Sequence, residues 1–233
     1  MGLMEQPPSF ISFIRYVGVL VVSLLTVLPA SAKDAVLLRY AFSKGKAGPD
    51  FSSEPRVLHA TPLAAGDGSL YGISSLQEQC FLLMRKDGRQ IPTSREEALE
   101  QSLFLGFAVT PVENTRVTLH QLVFSVGAAS VRLEGKFFGF ARVQCGEQVF
   151  NLPVTFTRDN EGESEAFPIR KGDAREVLPG EGIVNLSQLP APLNGPVNFQ
   201  LYFYLSSKDL ARIPEGTNYS IRIDNVSLLG EVQ

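Results

Sequence analysis

The chain has 233 residues with 21 Lys and Arg against 24 Asp and Glu, a formal net charge of −3. That balance excludes a polybasic surface for nucleic acid and for acidic lipid. Sixteen Phe, 20 Gly and 15 Pro, with few helical patterns, favour an all-β chain, and Trp is absent.

Residues 1–32 have the three parts of a secretory signal peptide: a polar start closed by Arg15, an apolar run over 16–29, and Ala30-Ser31-Ala32 as a small-residue cleavage site. The apolar run is shorter than the ~20 residues of a spanning helix. Cleavage after Ala32 is therefore expected, with residues 33–233 forming one domain; retention of the segment as an anchor is the alternative.

Residues 35–42 read as a first strand, 44–55 as loop and 56–60 as a short strand. The stretch 61–75, broken by Gly, Pro, Ser and Asp, reads as a surface connection, and 79–84 as a brief strand. Residues 94–101 form the one clear helical pattern, with Ser94 and Glu97 at capping-box spacing. Strands follow at 103–110 and 115–126. In the second, the apolar face changes side partway along, as expected of a strand bending between two sheets. Further strands are expected at 131–133, 137–144, 149–156, 182–186, 197–205 and 218–232, with the charged stretch 158–176 as a long loop or flap. Nine or ten strands with one short helix predict a two-sheet antiparallel β-sandwich.

Three stretches carry a resemblance: residues 94–127 (SREEALEQSLFLGFAVTPVENTRVTLHQLVFSVG), 197–205 (VNFQLYFYL) and 219–232 (YSIRIDNVSLLGEV). Together they resemble the secreted bacterial β-sandwich domains of exported proteins that carry a PEP-CTERM sorting tail. Those domains are similar to jelly-roll carbohydrate-binding modules. The resemblance implies a jelly roll whose last strand lies beside its first. No sorting tail follows here, so release to the periplasm or medium is expected rather than surface attachment.

Candidate chemistry is sparse. Asp224, next to Asn225, is the position where the resemblance implies a structural Ca²⁺ ligand; otherwise it caps neighbouring backbone. No other cofactor is indicated. Tyr202 and Tyr204 share one strand face and belong either to a sugar-binding surface or to the core. Cys80 and Cys145 are the only cysteines. In an oxidising compartment they either form one bridge, which would contribute about 4 kcal/mol, or lie buried apart. Glu96 and Glu97 point ~100° apart on a helix and cannot flank one bond. His59 and His120 lie in no metal or triad motif.

The functional expectation is a secreted, non-catalytic binding module for polysaccharide or another cell-surface polymer. The alternatives are a structural or protein-interaction component of the envelope or matrix, partnered by an envelope protein, and, third, a polysaccharide-active enzyme. No nucleic-acid partner, and no membrane association after signal cleavage, is expected. No feature sets an oligomeric state.

Overall fold

A computed structural model describes residues 34–42, 57–67, 69–73, 81–85, 92–130, 135–158, 162–171, 180–205 and 220–233. The expected signal peptide over 1–32, Cys80 and the expected strand at 131–133 lie outside the described residues. Among those described, no helix is long and apolar enough to cross a membrane.

Fifteen strands and one helix make up the described chain. They run β1 Ala35–Tyr40, β2 Leu58–Ala60, β3 Ala64–Ala65, β4 Ser69–Ile73, β5 Phe81–Arg85, α1 Arg95–Glu100, β6 Phe104–Pro111, β7 Val117–Ser130 and β8 Gly135–Cys145. After these come β9 Gln148–Pro153, β10 Thr155–Arg158, β11 Gly162–Ser164, β12 Ala166–Lys171, β13 Gly180–Asn185, β14 Val197–Leu205 and β15 Ser220–Val232.

The strands form two antiparallel sheets. Sheet A is built on the order β1-β15-β7-β13-β10-β11, with β5 and then β4 continuing beyond the other half of β15. Sheet B runs β6-β14-β8, flanked by β2 and β3 at one edge and by β9 and β12 at the other. The eight strands β1-β15-β7-β13 and β6-β14-β8-β9 have the order of a jelly roll, and the last strand does lie beside the first. Strands β6, β7 and β8 alternate between the sheets, as do β13, β14 and β15. The chain even changes sheet at Val154, between β9 on β8 and β10 on β13, where the Val154 N–H bonds the Gly139 carbonyl at 3.0 Å.

The inward faces supply the core. Leu105, Phe107 and Val109 of β6 and Phe199, Leu201, Phe203 and Leu205 of β14 meet Leu122, Phe124 and Val126 of β7 and Ile221 and Ile223 of β15. Phe124 meets Phe203 edge-on at 6.3 Å, and Phe137, Phe156 and Phe167 form a triangle of rings 5.3 to 5.5 Å apart. Each buried ring removes enough apolar surface from water to contribute about 1.5–3 kcal/mol.

Four expectations are corrected. The connection at 61–75 contains β3 and β4, and the charged stretch 158–176 contains β11 and β12. The single strand expected at 149–156 is two strands in different sheets. The strand expected to bend between sheets stays in sheet A. Its buried face passes from Val117 and Leu119 to Leu122, Phe124 and Val126 because of a bulge, seen where β15 advances one residue from Leu229 to Gly230 while β7 moves from Gln121 to Leu119. An extra residue in one strand flips every later side chain to the other face without any change of sheet.

Candidate functional site

The period of two in β14 sends Val197, Phe199, Leu201, Phe203 and Leu205 inward and Asn198, Gln200, Tyr202 and Tyr204 to the outer face of sheet B. Strand β8 does the same with Phe138, Phe140, Arg142 and Gln144. Register then assembles rows across the sheet. Ala108, Asn198 and Gln144 stand abreast, and Gly106, Gln200, Arg142 and Asn151 form the next row. Phe104, Tyr202, Phe140 and Pro153 follow, then Tyr204 and Phe138. One half of the face is thus polar and the other aromatic.

The aromatic half is roofed. Helix α1 is held at its start by Ser94, whose hydroxyl accepts from the Glu97 N–H at 3.2 Å, and by the Glu97 carboxylate, which accepts from the Thr93 N–H at 2.7 Å. Its Ala98 is fully buried against Phe140 and Tyr202, and the Arg95 guanidinium lies 4.9 Å over the Phe140 ring. Tyr202 is only 2 % exposed, stacked on Phe140 at 4.9 Å and tilted against Phe104 at 5.3 Å. Its ring is closed to any ligand. Tyr204, partly buried, stacks on Phe138 at 5.4 Å.

The polar half is open. Small residues on β6 and β3, Gly106, Ala108 and Ala64, lie low, while Phe104, Gln200, Arg142, Gln144 and Asn198 stand around them. The result is a depression of about 370 Å³, near the lower end of the ~300–1,000 Å³ usual for small-molecule sites. A Cβ at Gly106 would come within 2.9 Å of the Phe104 ring and 3.2 Å of the Phe199 carbonyl, so a side chain there would push on the Phe104 ring. The Tyr202 hydroxyl reaches into this half from beneath the helix, donating to Gln200 Oε1 at 3.2 Å and bonded to Arg142. Burial raises the Tyr202 pKa, and the Arg142 guanidinium pulls it the other way.

The remaining expected residues lie elsewhere. Asp224 precedes a bulge in β15, where Asn225 takes a left-handed φ of 50°. Its carboxylate accepts from the Asn225 N–H at 2.7 Å and from the Asn225 amide at 2.9 Å, while Arg39 donates to Asn225 Oδ1. This is local backbone capping. Among the described residues, no group of three His, Cys, Asp or Glu is placed to hold a metal. Cys145 ends β8 as a partly buried thiol whose pKa is raised by burial, with Cys80 outside the described residues. His120 pairs with Asp34 at 2.5 Å across β7 and the start of β1, and His59 is exposed on β2 opposite Thr110. Glu96 is exposed, and hydrogen bonds from the backbone and from Ser94 hold its pKa below the usual carboxylate value.

Sequence reasoning found the Tyr202 face but missed Asn198, Gln200, Arg142 and Gln144. The signal was present in the alternation of VNFQLYFYL and FFGFARVQC, whose outward positions are half polar and half aromatic. The register that aligns the two polar halves depends on residues far apart in sequence. The chain matches no protein-family model and no curated protein.

Proposed function

We propose that the protein is an exported, non-catalytic glycan-binding module whose ligand lies on the polar half of the outer face of sheet B. The observation that carries this reading is the in-register set Gln200, Arg142, Asn198 and Gln144 around a floor of small residues, walled by Phe104. Planar amides and a guanidinium pair with the vicinal hydroxyls of a sugar, and an aromatic wall suits the C–H face of its ring. Among the described residues that form the depression there is no Asp, Glu or His to act as acid or base. A secretory leader over residues 1–32 fits a ligand met outside the cytoplasm.

The test is a polysaccharide panel read by affinity electrophoresis, with Gln200→Ala and Asn198→Ala alongside the parent. Binding that weakens about tenfold in each variant is the expected outcome, at an unchanged melting temperature for Asn198→Ala and a slightly lower one for Gln200→Ala, which takes the acceptor from the Tyr202 hydroxyl. A panel with no binding above background counts against the reading.

A second reading, a protein-interaction component of an envelope or matrix, draws on the absent Trp and on Val149, 43 % exposed on β9 at the margin of sheet B. A stable assembly in size-exclusion light scattering, with no glycan bound, would favour it.

A further inference from the structure

We propose that the sugar taken by this groove is acidic, a uronate residue of a polysaccharide, with its carboxylate on Arg142 and the Gln200 amide. This rests on the glycan-binding reading and narrows it.

Three observations lead there. Among the described residues that line the depression, Arg142 carries the one formal charge and none is a carboxylate. A cation beside neutral amides in a partly enclosed hollow favours an anion that can accept its forked N–H groups, which is the geometry of a carboxylate. The amides are also oriented. Tyr202 donates to Gln200 Oε1, which leaves the Gln200 NH₂ as the group offered to a ligand, directly across the ladder from Arg142. Two adjacent donors thus converge. One row further on, the Gln144 amide gives one of its two N–H groups to the Gly146 carbonyl at 3.0 Å, and its oxygen can accept from a hydroxyl. Donors in one row and an acceptor in the next match a sugar carrying its carboxylate at one end and hydroxyls along its side.

The whole-chain charge of −3 sharpens the point, because an acidic protein repels polyanions in general. Affinity for a polyuronate therefore has to come from a local site.

The experiment titrates the purified protein with polygalacturonate, with the same polymer fully methyl-esterified, and with a sulfated galactan, at low and high salt. Polygalacturonate should bind at least about tenfold tighter than its ester. Arg142→Gln should remove that preference without lowering affinity for the ester, and Arg142→Lys should restore part of it. Gln200→Glu keeps an acceptor for Tyr202 while placing a carboxylate beside the ligand's, and should abolish polygalacturonate binding even if the Arg142 variants do not fold. Lys136→Gln, at the far end of the same face of β8, should change nothing. Equal affinity for acid and ester overturns the inference but leaves glycan binding standing, as does tighter binding of the sulfated polymer. Failure to bind any of these or any neutral polysaccharide overturns both.

Discussion

At Gly230 the backbones of β15 and β7 come so close that a Cβ would lie 2.1 Å from the Thr118 carbonyl oxygen and 3.0 Å from a Leu37 methyl. The obstacle is backbone, which cannot rotate aside, and it sits beside the β7 bulge on which the face switch depends. Gly230→Ala should therefore cost about 2–3 kcal/mol, measured by denaturant unfolding. Tyr40 shows the opposite problem, a polar group taken into the core. Its ring is fully buried beside Phe107, its hydroxyl donates to the Thr61 carbonyl at 2.7 Å, and burial pushes its pKa well above the ordinary phenol range. The folded protein holds this proton where the unfolded chain, ionising near pH ~10, gives it up. Stability from Tyr40 is complete below pH ~10 and falls above it by about 1.4 kcal/mol per pH unit until the folded pKa is reached. Burial of Tyr202 and Cys145 acts in the same direction. Unfolding free energy should thus drop steeply on the alkaline side, and Tyr40→Phe should flatten that slope while costing about 1 kcal/mol at neutral pH.

Helix α1 has six residues, too few to persist through its own hydrogen bonds. It stands because Ser94 and Glu97 close its first turn and because Ala98 buries against Phe140 and Tyr202. Ser94→Ala should cost about 1 kcal/mol. Hydrogen exchange should show the loss locally, with faster exchange at the Ala98 and Gln101 amides that bond the Ser94 and Glu97 carbonyls, and little change in the amides of β14. Elements like this one were legible in the sequence, since a cap, a short apolar side and a preceding Pro92 are local signals. So was β14, found over the same residues 197–205 that its alternation marks. Three of the missed strands share a cause. Strand β3 is two alanines, β11 is wholly exposed, and β12 carries Pro168 within it. Neither β3 nor β11 has a pattern of its own, and Pro168 masks the alternation of Phe167 and Ile169 in β12; each is a strand because a neighbour offers it a ladder, β6 for β3, β10 for β11 and β8 for β12. The candidate site was half legible for the same reason. Periodicity put Tyr202 and Tyr204 on one face, but only the register between β14 and β8 sets Gln200 opposite Arg142, and only the packing of α1 closes Tyr202 off.

Across the whole molecule the strands are not equally necessary. Strand β15 pairs with β7 along its length on one side, and with β5 and then β1 on the other, exchanging one for the other at the Asn225 bulge. Removing residues 220–233 would strip sheet A of the strand joining these three neighbours, and Ile221, Ile223, Val226 and Leu228 would leave the core with it. Such a truncation should show no cooperative thermal transition, whereas shortening the chain by the exposed β11 should leave one intact. The place of β15 also has a consequence in time. A ribosome delivers this strand after all three of its neighbours, so β1, β5 and β7 each wait with an unpaired edge until residues 220–232 have emerged. Strand β1 has no other ladder among the described residues, and a pairing between residues near 35 and 230 makes its docking slow. Sheet A is thus joined late, and the chain stays extensible until that strand is in place.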